Sequence, residues 1–198
     1  TAYEISACLV GSEMCIRDRV NPEKLWASVI SVYGEKEAEN QYGQLIPVDE
    51  NRVVAVGEGE VIRFQNRRLQ IFDAPGHANH HIVIFDEKSK SFFTGDAFGI
   101  AYPELTSEDG EFIFISSTPT QFEPVKFEST IKKIMKQKPK SCFLTHFSKI
   151  INIEKHSYEL LKQIDEYVRI TQHEIHHIYG LRQEANPRAH GPPCLTTL

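Results

Sequence analysis

The stretch "RLQIFDAPGHANHHIVIFDEKSKSFFTGD", residues 68–96, decides the fold of this chain. Its β-branched and aromatic residues form three short apolar runs, which are separated by a Pro-Gly pair and by the polar turn "EKSKS". Runs of this length and composition between turn residues are typical of β-strands. We therefore predict three strands here, of which the last two form a hairpin that ends at a Gly-Asp corner.

The sequence before this stretch extends the predicted sheet and adds a helix. The runs "RVVAVG" (52–57) and "EVIRFQ" (60–65) predict two more strands, consecutive and antiparallel with the first strand of the opening stretch. The segment "NPEKLWASVISVYG" (21–34) predicts a helix, because Asn21 is a favourable N-cap and Pro22 suits the first helical position.

The sequence after this stretch predicts two helices around one more strand. A long loop (97–120), rich in aromatic, Pro, Ser and Thr residues, precedes a helix at about 124–138. The buried strand "SCFLTHF" (141–147) follows, and a long amphipathic helix then ends near Gly180. Strands interspersed with helices in this way indicate one α/β domain.

Composition excludes some classes of partner. The chain has 198 residues, and its net charge of −5 comes from acidic and basic residues mixed along the sequence. A nucleic-acid binder normally carries a basic stripe, which is missing here. No apolar run approaches the roughly 18 residues that a membrane span requires. We expect a small-molecule partner and, because the four cysteines form no paired motif, a reduced cytoplasmic setting.

Three predicted strand ends carry side chains that bind metals. "APGH" ends at His77, "FTGD" at Asp96 and "LTHF" at His146. Gly or Pro beside a strand end lets the backbone turn sharply, so that the next side chain can reach into a cleft. Histidine and carboxylate together suit a borderline cation such as zinc. One such residue is weak evidence, but three in series predict a metal site.

These motifs resemble those of the metallo-β-lactamase-fold hydrolases, the superfamily that includes glyoxalase II. The resemblance covers roughly residues 20–165 and rests on "PGHANHH", "FFTGDAFG" and "LTHF". It implies that His77 binds a first metal ion, that Asp96 bridges two ions and that His146 binds the second. It also implies two zinc ions, with iron or manganese as alternatives, and a metal-activated hydroxide that attacks an ester, thioester, amide or phosphoester.

One motif of that superfamily is missing. The pattern HxHxDH should lie well before "PGH", and no such string occurs there. Residues 1–19 instead resemble translated sequencing-adaptor read-through, so we expect them to have no partner in the fold. We interpret 20–180 as the C-terminal part of a metallo-β-lactamase-like domain and 181–198 as a tail. The expected fold is a partial αββα sandwich without its N-terminal half, and the chain as given is expected to be inactive.

Three further residues are candidates for a place near the metals. His81 is a candidate for contact with a metal ligand or with substrate, because only one of the adjacent His80 and His81 faces the sheet interior. Phe98 and Tyr102 lie in the loop after Asp96, where they are candidates to line the substrate pocket, although aromatic residues in loops more often simply pack.

Two alternative functions stay open. The stretch "HEIHHIYGLRQ" (173–183) has the His-Glu-x-x-His spacing of zinc proteases, but Gln183 stands where the third zinc ligand belongs. The other alternative is a non-catalytic binding module on the same fold. The upstream sequence discriminates between this module and an enzyme, because only the enzyme needs HxHxDH.

Overall fold

The computed structural model describes residues 9–11, 20–43, 45–108, 110–117, 121–146 and 149–185. The strands are β1 Leu9–Gly11, β2 Val53–Ala55, β3 Val61–Phe64, β4 Arg67–Asp73, β5 Ile82–Asp86, β6 Ser91–Gly95, β7 Ile100–Ala101, β8 Ile113–Phe114, β9 Ser141–Leu144 and β10 Lys149–Ile150. The helices are α1 Glu23–Tyr33, α2 Glu35–Tyr42, α3 Pro124–Lys136 and α4 Ile153–Ala185.

The main sheet has six strands in the order β10-β9-β6-β5-β4-β3. All neighbouring strands in it are antiparallel except β6 and β9, which are parallel. Because β4 and β6 both run antiparallel to β5, β4 points in the same direction as β6 and β9. The carboxyl ends of these three strands therefore lie at one edge of the sheet, which we call the site edge.

One face of the sheet forms the core with the two long helices. The register aligns Phe85, Phe92 and Cys142 across three strands on this face. These side chains are buried in one cluster with residues of both helices, among them Phe127 and Leu160. Each large apolar side chain buried in this way stabilises the fold by about 1.5–3 kcal/mol. This core holds α3 and α4 in place against the sheet.

The opposite face of the sheet is also apolar but is less well covered. Ile84, Phe93 and Phe143 are aligned across three strands there, and the rings of Phe93 and Phe143 stack with their centroids 5.0 Å apart. Phe93 is 45% exposed, whereas Phe92 beside it is 1% exposed. A sheet that is apolar on both faces is typical of a fold in which a second layer covers each face.

The predicted α/β class and the sheet with its helices are confirmed. The structure corrects the pairing of the first predicted strand, since Val53–Ala55 pairs in parallel with Leu9–Gly11 and not with the following strand. Leu9–Gly11 therefore has a partner, contrary to the expectation for residues 1–19, while the rest of that segment lies outside the described residues. The structure also adds α2, which was not predicted.

Two further segments differ from expectation in detail. The long loop after Asp96 contains the antiparallel pair of β7 and β8. The last helix continues to Ala185, so the boundary expected at Gly180 falls inside it, and the remaining tail lies outside the described residues. None of the helices in the described ranges is long and apolar enough to cross a membrane.

Candidate metal centre

The loop that carries His77 is fixed by close contact with α3. The backbone N–H of Glu123 donates to the Gly76 carbonyl over 2.8 Å, and the Thr130 hydroxyl donates to the Pro75 carbonyl over 2.7 Å. Gly76 has φ +131°, and a Cβ atom there would lie 2.3 Å from the Phe127 Cα. Only glycine fits such a backbone conformation and such a close approach. The helix therefore determines where His77 lies.

A backbone carbonyl orients the His77 ring. Its Nδ1 lies 2.8 Å from the Ser116 carbonyl oxygen, which can only accept a hydrogen bond, so Nδ1 carries the proton. In the neutral ring the lone pair is then on Nε2, which lies 3.6 Å from Asp96 Oδ2. A metal-binding histidine is commonly oriented in this way, by a carbonyl on its second nitrogen.

Helix α4 fixes the carbonyl that orients His77. The Gln163 side chain donates to the Ile113 carbonyl over 2.8 Å and accepts from the Ile115 backbone N–H over 3.0 Å. One side-chain amide thus anchors the segment just before Ser116 to α4. No sequence pattern marks Ser116, because every residue has a backbone carbonyl and the role of this one depends on tertiary placement.

The Asp96 carboxylate lies between two histidines. Its Oδ2 faces His77, and its Oδ1 lies 3.6 Å from His146 Nε2. Oδ1 is buried and has no hydrogen-bond partner among the residues that the structure describes. A buried carboxylate oxygen without a hydrogen bond is costly unless a cation satisfies it. This orphaned oxygen therefore fits a position next to a metal ion.

The distances between these side chains also fit shared metal ligands. Two ligand atoms bound about 2.1 Å from one tetrahedral cation lie about 3.4 Å apart. The two separations of 3.6 Å, from His77 and from His146 to Asp96, are close to that value. Within the described ranges, however, no group of three or more His, Cys, Asp or Glu side chains is arranged to hold one ion. Each pair thus provides two ligands, and a catalytic zinc normally has three from the protein.

His81 contacts two of the predicted metal ligands, Asp96 and His77. The Asp96 backbone N–H donates to His81 Nε2 over 3.3 Å, and the ring meets the His77 ring edge to face with centroids 5.9 Å apart. Burial lowers the pKa of His81, as does the neighbouring His77, while Asp96 opposes this effect. The ring is therefore neutral at neutral pH, and its buried Nδ1 has no hydrogen-bond partner in the described part of the chain.

The two aromatic candidates, Phe98 and Tyr102, lie in different surroundings. Phe98 is fully buried in the main core, so the prediction that it lines a substrate pocket is wrong. The Gly-Asp corner directs the chain back into the core, where the Phe98 ring packs with apolar neighbours. Tyr102 is half-buried and stacks on Phe114 with ring centroids 5.8 Å apart. Its contact with substrate stays a prediction.

The stretch "HEIHH" lies far along α4 on an exposed surface. His173 and Glu174 have side chains that are 74% and 59% exposed and that contact each other over 3.3 Å. His176 and His177 are also exposed. The stretch has the spacing of a zinc protease, but it has neither the burial nor the third ligand of a metal site.

A sequence profile of the metallo-β-lactamase superfamily matches residues 16–173. Because this match covers most of the chain and the fold and site edge agree with it, the chain belongs to the metallo-β-lactamase superfamily.

Two solved structures show the same fold. One is an archaeal metallo-β-lactamase superfamily protein from Sulfolobus tokodaii, with 23% identity and a TM-score of 0.62 over 82% of this chain and 61% of that one. The other is a metallo-β-lactamase family protein from Thermus thermophilus, with 15% identity and a TM-score of 0.51 over 88% of this chain and 56% of that one. The chain therefore spans somewhat more than half the length of each.

Proposed function

We propose that this chain is the C-terminal part of a metal-dependent hydrolase. The observation that carries the proposal is the Asp96 carboxylate, whose two oxygens each face the Nε2 atom of a different histidine over 3.6 Å. A carboxylate in this position suits the bridge between two metal ions. Superfamily membership supports the same function, since it implies metal-dependent hydrolysis or a related reaction.

In this proposal three residues of the site edge would hold two metal ions. His77 and Asp96 would hold the first ion, and Asp96 and His146 would hold the second. When bound, the ions lower the pKa of water and polarise the carbonyl or phosphoryl group of an ester, thioester, amide or phosphoester. The Ser116 carbonyl keeps the His77 proton on Nδ1, so that the lone pair of the neutral ring is on Nε2, the nitrogen that would bind the ion. Imidazole and carboxylate ligands favour zinc, and they also suit iron or manganese.

The remaining ligands are proposed to come from upstream sequence. The motif HxHxDH would supply the third ligand of each ion, and the chain as given would not hydrolyse substrate. The apolar row of Ile84, Phe93 and Phe143 supports this view, because a second sheet would cover it in an αββα sandwich. The substrate is proposed to be a small molecule, in keeping with the acidic and basic residues mixed along the sequence, and the setting is proposed to be cytoplasmic, because the four cysteines form no paired motif.

Restoring the upstream sequence tests this function. The extended protein is assayed with p-nitrophenyl esters, thioesters and phosphodiesters in added zinc or manganese, and its metal content is measured by elemental analysis. We expect about two metal ions per chain and activity on at least one class, with none in the chain as given. A well-folded extended protein that binds no metal contradicts the proposal. An extended protein that binds metal but hydrolyses none of these substrate classes favours the non-catalytic binding module.

A further inference from the structure

His81 contacts the site edge in two places, at the Asp96 backbone and at the His77 ring. Its Nε2 accepts the Asp96 backbone N–H over 3.3 Å, and its ring packs edge to face on His77. A side chain whose Nε2 is already hydrogen-bonded to the backbone of a ligand is not available to bind the ion through that atom. Its contacts instead join the loop after β4 to the corner after β6.

The corner at Gly95 has the space for this ring only because it has no side chain. Gly95 has φ +53°, and a Cβ atom there would lie 2.6 Å from His81 Cε1. The ring therefore lies against the backbone at the point where the chain turns to direct Asp96. A hydrogen bond at this point fixes the peptide plane that carries Asp96, and so limits where its carboxylate can lie.

We propose that His81 is a positioning residue, which holds the Asp96 backbone and the His77 ring so that the Asp96 carboxylate lies between His77 and His146. It acts through these two residues and does not bind metal itself. The inference rests on the proposed function, because it gives the carboxylate its position toward the metal ions. Its geometric part, the hydrogen bond and its effect on the corner, can be measured without any metal.

The test compares substitutions at His81 with one at its neighbour. Gln at position 81 keeps an acceptor near the place of Nε2, whereas Leu removes it and Asn is too short to reach Asp96. His80 is the matched control, because its Nδ1 is also buried without a hydrogen-bond partner among the described residues. Two quantities are measured in the full chain: hydrogen exchange of the Asp96 amide without metal, and the affinity and absorption spectrum of added Co²⁺.

His81→Leu should increase exchange of the Asp96 amide at least tenfold and weaken Co²⁺ binding by about 10- to 100-fold, with a changed visible spectrum. For His81→Gln, the exchange rate of the Asp96 amide and the Co²⁺ affinity should both stay within about threefold of the parent values. His80→Leu should resemble the parent in both quantities. If the Leu variant does not fold, His81→Asn should show the same losses against His81→Gln.

Two outcomes overturn the inference. One is unchanged Asp96 exchange and unchanged Co²⁺ affinity in a folded His81→Leu or His81→Asn variant. The other is an equal loss in His81→Gln, which would show that the ring shape and not the acceptor matters. A parent chain that binds no Co²⁺ at millimolar concentration overturns the proposed metal centre instead, while the amide exchange still decides whether His81 holds the corner.

Discussion

The chain has two groups of histidines, and they differ in what holds them. His77, His81 and His146 meet Asp96 at the site edge, to which three separate segments contribute: the loop after β4 with His77 and His81, the corner with Asp96, and the end of β9 with His146. His173, His176 and His177 follow one another on α4, are exposed and have the more familiar motif spacing. The spacing of histidines along the sequence is therefore not enough to predict a metal site. Convergence of separate strand ends on a buried carboxylate is the stronger indication.

The largest difference between the two groups should appear in catalysis. In the protein with its upstream sequence restored, Asp96→Ala should lower kcat/KM by at least about a thousandfold, which is about 4 kcal/mol of transition-state stabilisation. The reason is that both ions lose a ligand at once. His173→Gln with His177→Gln should leave kcat/KM within about twofold. Steady-state kinetics on the best substrate measure both, and a large loss in the double variant would reverse the comparison.

The next largest effect should be on stability, through the contact between α3 and the loop that carries His77. Gly76→Ala should lower the free energy of unfolding by about 3 kcal/mol, because its Cβ would overlap the Phe127 backbone. Gly59→Ala is the matched control, since Gly59 also has a positive φ but has open space around it, and it should lose only about 1 kcal/mol. Urea unfolding measures both. Equal losses would mean that contact with α3 does not fix the loop of His77.

The free energy of unfolding should also depend on pH through Asp86, which ends β5. Burial by itself raises the pKa of Asp86, but hydrogen bonds from the Ser89 hydroxyl and the Lys88 backbone N–H, together with Arg67, bring it below its ordinary value. A carboxyl whose pKa is lower in the folded state stabilises the fold above its unfolded pKa of about 3.9. That stabilisation is lost as pH falls through the folded pKa.

Asp86→Asn should therefore cost about 1–3 kcal/mol at pH 7, and the difference from the parent should shrink as the pH falls below about 4. Unfolding curves across this pH range measure the effect. A constant difference at all pH values would place the cause in lost packing and not in charge.

The smallest change in stability should come from substitutions of the exposed histidines on α4. His173→Gln with His177→Gln should change the free energy of unfolding by less than about 0.5 kcal/mol, because neither side chain is buried and His173 contacts its exposed neighbour Glu174. Thermal unfolding followed by circular dichroism measures this. A larger loss would mean that this part of α4 has a structural role which its exposure does not show.

Much of the site edge could be predicted from sequence because its signals are local. The Pro-Gly pair before His77 and the Gly-Asp corner mark strand ends that need special backbone conformations, and both glycines have positive φ. What sequence could not give was the strand order. His77, Asp96 and His146 share an edge only because β6 and β9 are parallel while β5 runs the other way. No residue pattern specifies that arrangement.

The errors have equally specific causes. Its position after Asp96 makes Phe98 a candidate for a substrate pocket, yet an aromatic residue after a tight corner can as well turn into the core, where Phe98 is fully buried. The strand at 53–55 pairs with Leu9–Gly11, a distant and unexpected partner, because short apolar runs do not determine their partners. The role of the Ser116 carbonyl had no signal in any side chain.

The most direct test is to observe the histidine ring nitrogens by NMR while zinc is added to this chain. The chain should carry His173→Gln and His177→Gln, so that paired histidines on α4 cannot compete. The Nε2 signals of His77 and His146 should shift together, while His77 Nδ1 should keep its proton toward the Ser116 carbonyl. Zinc at millimolar concentration that leaves both rings unchanged, or that binds only one of them, would contradict a centre built around Asp96.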